Sequence, residues 1–174
     1  STLKDWHSYT EDLLKYIEDL GYGVLLEPSA YYPPTSMFHP LATVSGCDPD
    51  FSSYDGMKNR APDFNQMDTE RSMGGHVHAS LTNDVNPYVF CQWMDALVTL
   101  PLLKYEGENT RRTLYGKAGA MRHKPYGAEY RATSNIWVAD PARREFVWEM
   151  SNRALSLAKK HNPLEIEGWS DIPE

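Results

Sequence analysis

Gly74-Gly75-His76-Val77-His78-Ala79-Ser80-Leu81 is the stretch that decides the fold. Read as an extended strand, it puts His76 and His78 on one side and Val77 on the other, because successive side chains of a strand face opposite ways. The run Ala128-Glu129-Tyr130-Arg131-Ala132-Thr133 repeats the pattern, with Glu129 and Arg131 sharing a face opposite Tyr130. If the two strands are neighbours, two imidazoles, a carboxylate and a guanidinium converge on one sheet face. Such a set suits a divalent metal with a phosphate: carboxylate and imidazole bind the ion, and the planar guanidinium fork neutralises phosphoryl oxygens. Gly74 and Gly75 are predicted to let backbone approach a ligand closely. Taken singly, a His-x-His reads as ordinary strand histidines and a Glu-x-Arg as a cross-strand ion pair. Together, flanked by Gly-Gly and by a loop rich in Gly, Arg and Lys, they read as a site.

Working outward, Leu3, Trp6, Leu13, Leu14, Ile17 and Leu20 recur at helical spacing between a Ser1 or Thr2 cap and Gly21, predicting a helix over 3–20 whose apolar stripe packs on a neighbour. Gly23-Val24-Leu25-Leu26-Glu27 reads as a strand ended by Pro28. Residues 28–70 lack periodicity and are rich in Pro, Gly, Asp, Asn and Ser, which predicts a long functional loop containing short helical turns. A helix is predicted from about Pro87 to Leu100, ended or kinked by Pro101, and another from Pro141, capped by Asp140, to about Lys160. The second has Phe146, Val147, Met150, Ala154, Leu157 and Ala158 as its core face. Between them, 105–127 holds Arg111, Arg112, Lys117, Arg122, His123 and Lys124 and reads as a basic loop suited to phosphate.

The chain has 174 residues, 41% of them apolar and 24% charged, which fits a single domain over 1–174. No apolar run approaches the roughly 20 residues of a membrane helix. The net charge of −7 disfavours phosphate backbones and anionic lipid, so neither nucleic acid nor membrane is an expected partner. Cys47 and Cys91 are too few and too far apart for a disulfide scaffold or a Cys-based zinc site, and read as unpaired thiols of a reducing compartment. The start of the chain shows no basic region followed by an apolar stretch, so the expected location is cytoplasmic. A cupin-like reading of His-x-His fails on Leu81, Thr82 and Asn83, and a barrel hydrolase needs roughly 250 residues. Nucleophile-elbow, Walker and dinucleotide glycine patterns are absent.

Arg71-Ser-Met-Gly-Gly-His-Val-His-Ala-Ser, followed some fifty residues on by Tyr126-Gly-Ala-Glu-Tyr-Arg-Ala-Thr-Ser-Asn, resembles the phage-type carboxylate–amine ligases of the glutamine synthetase and glutamate–cysteine ligase superfamily. Gly46-Cys-Asp-Pro-Asp and Tyr115-Gly-Lys-Ala-Gly-Ala-Met-Arg are similar to the same group, and the likeness spans about residues 23–138. The resemblance implies an α+β fold: a curved antiparallel sheet with helices packed on one face. It implies an enzyme using ATP and Mg2+, with Mn2+ as the alternative ion, that joins a small-molecule or peptide carboxylate to an amine through an acyl phosphate. It assigns His76 and Glu129 to the metal, His78 to the nucleotide phosphates, and Arg131 to the transferred phosphoryl. Arg122, Arg112 and Lys117 are weaker matches to residues that hold phosphate or substrate carboxylate. An acidic strand motif expected near the start of such a domain is not found before residue 23, and Glu27 is the only early strand carboxylate offered as a further metal ligand. The expectation is therefore a sheet lacking N-terminal strands, being the C-terminal part of a longer unit or completed by a second chain or a homo-oligomer. In a phage-encoded protein the location implied is the bacterial host cytoplasm. A second reading stays open, that of a non-catalytic ligase-like module serving as a phage structural or host-binding protein.

Overall fold

A computed structural model describes residues 2–44, 48–61, 69–107 and 110–165. Helix α1 (Leu3–Asp19) starts at a capping box in which Thr2 and Asp5 satisfy each other's backbone N–H. Trp6 stacks on Trp137 with ring centroids 5.6 Å apart and meets Trp148 edge-on at 5.0 Å. Arg144 donates to His7 and Glu11. Of the apolar stripe expected to pack, Trp6 reaches the hydrophobic cluster and Leu14 and Ile17 are half-buried, whereas Leu13 and Leu20 are more than half exposed.

The strand expected at 23–27 does not form. Val24 and Leu25 are exposed in irregular backbone, and the ladder begins after Pro28. There β1 (Ser29–Tyr31) pairs antiparallel with β3 (Glu70–Ser72). An apolar run with no partner strand has no ladder to join, whereas Ser29–Tyr31 finds one. The long loop contains the short turns expected of it, 3-10 helices at Pro34–Met37 and Pro40–Thr43, and also the short strand β2 (Phe51–Ser52).

The four-stranded antiparallel sheet, in the order β2-β5-β6-β4, joins β2 to β5 (Ala120–Lys124), β6 (Gly127–Tyr130) and β4 (Val77–Ser80). Its register pairs Val77 and Met121 with Tyr130, and it pairs His78 and Arg122 with Glu129. The period-two pattern therefore sorts the sheet into two faces. Val77, Met121, Ala128 and Tyr130 are buried in the hydrophobic cluster, each large side chain worth about 1.5–3 kcal/mol when fully withdrawn from water. His78, Arg122, Lys124 and Glu129 occupy the other side.

Behind the buried face lie α2 (Pro87–Met94) and α5 (Pro141–Ala158), which pack on each other. Val147, Ala154, Leu157 and Ala158 of α5 are buried as expected, and Phe146 and Met150 pack on the cluster. After α2 the helical path loosens into a π turn at Asp95–Thr99 and runs on through α3 (Leu100–Leu102) to Tyr105. Pro101 does not end it. The ring sits in the first turn of α3, where a missing N–H is tolerated. The buried Asp95 carboxylate accepts hydrogen bonds from Tyr54 (2.8 Å) and Tyr130 (2.5 Å), tying the β2 loop to the sheet. The basic segment 105–127 is not a plain loop but α4 (Arg111–Leu114), a turn and β5. The architecture is α+β and antiparallel. Among the described residues no helix is long and apolar enough to cross a membrane. Cys91 is a buried free thiol, and Cys47 lies outside the described residues.

Candidate functional site

Glu129 stands in the middle of the polar face, flanked by Arg122 on β5 and His78 on β4. Its carboxylate is met by Arg131, by Lys124 Nζ at 2.7 Å and by Arg122 at 3.7 Å. Glu129 is only 4% exposed. Burial pulls its carboxyl upward, but the Lys124 hydrogen bond and charge, then Arg122 and His76, outweigh it and hold the group below the usual carboxylate range. His76, just before β4, places Nδ1 3.3 Å from Glu129 and 3.3 Å from Arg131. Burial, reinforced by the Arg131 charge, pushes His76 down from 6.5 to about 4, so its ring is neutral at pH 7.

This shift has a measurable consequence. Between pH 6.5 and 4 an unfolded chain takes up a proton at His76 and the folded chain does not, so stability present above that window is lost as pH falls through it. The contribution is about 3 kcal/mol at most. His76→Asn is expected to flatten the urea-midpoint profile between pH 7 and 4, and an unchanged profile would refute the buried neutral ring.

Arg131, buried to 1% exposure, donates Nε to Asp50 (3.3 Å) and Nη1 to Glu129. Its guanidinium lies over the Tyr115 ring, 5.2 Å from the centroid, and Tyr115 Oη is 3.4 Å from His76 Nε2. Asp50 is held in turn by Asn59 Nδ2 at 2.9 Å. Nη2 of Arg131 and Nε of Arg122 are buried without an acceptor among the described residues. Cations outnumber carboxylates on this face, with Arg122, Lys124 and Arg131 set against Glu129 and Asp50.

The remaining expected residues divide clearly. His78 is exposed at the sheet's outer strand, with Nδ1 2.5 Å from Tyr126 Oη. Arg122 also donates to the carbonyl of Asp48, which anchors that loop to β5. Arg112 turns inward, to Glu106 (2.9 Å) and the carbonyls of Gly116 (2.7 Å) and Ala132 (3.2 Å), so it serves the scaffold rather than the open face. Its neighbour Arg111, fully buried, donates to the carbonyls of Met73, Ala132 and Thr133 and so staples together the two segments that carry His76 and Arg131. Lys117 is exposed and lines a separate cleft. Glu27 is exposed in irregular backbone, and among the described residues it forms no group with His76 and Glu129 that could hold a metal. Gly75 faces protein rather than ligand, since a Cβ there would lie 2.5 Å from the Ser134 carbonyl and 2.6 Å from Trp137 Nε1.

Sequence reading missed Lys124, Asp50 and Tyr115 as parts of the centre. The signal for Lys124 was present in Arg122-His123-Lys124, which alternates as His76-Val77-His78 does. Asp50 and Tyr115 stood within motifs already noted, with nothing local to tell what they touch.

A buried guanidinium with a spare donor, an ammonium and a second guanidinium gather around one carboxylate, donors of the kind that suit phosphoryl or carboxylate oxygens. Residues 65–167 match the family described as phage phiEco32-like COOH-NH2 ligase, type 2. That is more than half of the chain, and the chain belongs to this family of carboxylate–amine ligases. The match starts after the Gly46-Cys-Asp-Pro-Asp motif and runs through α5. No curated protein and no solved structure matches the chain.

Proposed function

We propose that the Glu129 face is the phosphoryl-handling part of an ATP-dependent ligase centre that joins a carboxylate to an amine through an acyl phosphate. The observation that carries this reading is the convergence of Arg131, Lys124 and Arg122 on Glu129, with Nη2 of buried Arg131 lacking an acceptor among the described residues.

A carboxylate is a poor electrophile, and ATP, when bound, supplies the phosphoryl that activates it. Asp50 and Glu129 fix two edges of the Arg131 guanidinium, leaving Nη2 to donate to an oxygen of the transferred group. Lys124 and Arg122 add positive potential where negative charge gathers. His78, at the rim, is suited to the rest of the nucleotide's phosphates. The amine then attacks the acyl carbon: a C–N bond forms, the C–O bond to phosphate breaks, and the amine gives up a proton. ADP and phosphate leave.

For Mg2+ or Mn2+ the fit is partial. His76 and Glu129 are two donors, but a magnesium ion takes about six, mostly oxygens, and Glu129 already faces three cations. The described residues bring no third His, Cys, Asp or Glu to the pair, and no step above depends on the ion. β4 is an outer strand of its sheet, so its flank can accept a strand from a second chain or another copy, and we place the missing acidic ligands there.

Isothermal titration with ATP, with and without magnesium, tests the reading. Binding is expected, weakened about tenfold or more in Arg122→Gln, the cost of one charge-assisted contact. No heat in either condition would favour the non-catalytic interaction module instead. That module also predicts that Glu129→Ala leaves unchanged the shift in melting that magnesium and ATP produce.

A further inference from the structure

Tyr115 is half-buried, yet among the described residues it is not one of the apolar side chains that pack on the hydrophobic cluster. Its neighbours are polar or charged instead. The guanidinium carbon of Arg131 lies over its ring, 5.2 Å from the centroid, and that of Arg111 lies over it at 5.8 Å. The His76 ring is tilted beside it with centroids 6.1 Å apart, and Tyr115 Oη stands 3.4 Å from His76 Nε2.

The backbone fixes where this ring stands. Tyr115 closes α4 by donating its N–H to the Arg111 carbonyl at 2.6 Å. Gly116 then turns the chain with φ +69°, and a Cβ at that position would run into the Arg111 guanidinium. The tyrosine is therefore held by the same arginine that staples the segments carrying His76 and Arg131.

What the ring adds follows from the hydrogen bonds of Arg131. Asp50 takes Nε and Glu129 takes Nη1. Two anchors of this kind leave the guanidinium plane free to rock about the line between them. The donor off that line is Nη2, which has no acceptor among the described residues. A guanidinium is attracted to an aromatic face and stacks on it, which opposes the rocking.

We propose that Tyr115 is a positioning residue, whose ring holds the plane of Arg131 and so fixes the direction in which Nη2 donates. The positioning claim stands on these contacts alone, and only its use in phosphoryl transfer rests on the proposed function.

The test pairs Tyr115→Leu, which removes the ring, with Tyr115→Phe, which keeps the ring and removes the hydroxyl. The first readout is NMR of the 15N-labelled full chain, with the Arg131 Nε–H signal assigned by its loss in Arg131→Lys. The unaltered chain is expected to show a nuclear Overhauser contact between that proton and the Tyr115 ring. Tyr115→Leu is expected to shift the signal downfield, because a proton over a ring face is shielded, and Tyr115→Phe to keep it near its original place. Absence of the contact would overturn the inference even if the leucine variant does not fold. A signal that Tyr115→Leu leaves in place would overturn it too.

The second readout is hydroxamate and ADP formed from ATP, hydroxylamine and a panel of small dicarboxylic and amino acids. Tyr115→Leu is expected to lower turnover about tenfold or more, the order of one desolvated cation–π contact, and Tyr115→Phe to recover most of the loss. In an Arg131→Lys background Tyr115→Leu is expected to change turnover by under about twofold, because its effect passes through the missing guanidinium. An equally large loss in both backgrounds would overturn the role and leave Tyr115 a part of the scaffold. If the unaltered chain neither binds ATP nor turns over, the ligase reading falls and the NMR result alone decides the inference.

Discussion

Arg131→Lys is expected to lower turnover about 10²–10³-fold, the usual cost of removing one donor aimed at developing charge. Lysine keeps the positive charge but not the planar fork, and three demands fall on that fork at once. Asp50 takes Nε, Glu129 takes Nη1, and Nη2, without an acceptor among the described residues, is the donor the proposed function gives to the ligand. An ammonium at the same place cannot meet all three directions. The reaction is followed with ATP, hydroxylamine as the amine and a panel of small dicarboxylic and amino acids, reading hydroxamate and ADP. ATP affinity measured beside it is expected to change far less than turnover. A variant within threefold of the parent rate would remove Arg131 from the proposed phosphoryl-transfer step.

Arg111→Met is expected to destabilise the chain by about 2–4 kcal/mol, because it orphans one buried carbonyl and removes two further charge-assisted hydrogen bonds. Against a typical domain stability of about 5–15 kcal/mol this is a large fraction. Methionine fills much of the space but leaves the Met73 carbonyl without its donor and takes one donor each from Ala132 and Thr133, which keep Arg112 and the Gly75 N–H. Burial first, and then Arg112, push the Arg111 guanidinium down to about 10, which still leaves it charged at pH 7. Urea unfolding followed by tryptophan fluorescence measures the loss, and Arg111→Lys should recover part of it. A loss under about 1 kcal/mol would mean that the carbonyls find water instead.

These two arginines also show where sequence reading succeeds and where it stops. Arg131 was legible because strand alternation is local: Glu129 and Arg131 must share a face, as must His76 and His78, whatever lies elsewhere. That the two strands pair was a further inference, which the register of His78 opposite Glu129 bears out. Arg111 was not legible. Its partners are carbonyls at positions 73, 132 and 133, and nothing in a cluster of basic residues says which of them turns inward. β5 was hidden for a related reason. In Ala120-Met121-Arg122-His123-Lys124 only Met121 marks the core side strongly, and four glycines nearby make the segment look like a loop. The false strand at 23–27 is the converse, an apolar run with good propensity that the fold leaves exposed. Asp50 illustrates the distance problem, since the carboxylate that completes the Arg131 fork lies 81 residues away.

Four charged members of the centre, Arg122, Lys124, Glu129 and Arg131, sit on or directly after one tight hairpin, β5–β6. Contacts this close in sequence close cheaply and form early, so the electrostatic character of the cup is set while the chain is still assembling. Arg122 and Lys124 repel each other on the same flank of β5, and Glu129 is the counter-ion that lets the two strands zip. Glu129 is thereby expected to act in hairpin formation as well as in the finished cup, whereas His76 and Asp50 join it from far along the chain. Altering the acid is expected to slow the formation of the hairpin, while altering the imidazole should leave that step unchanged.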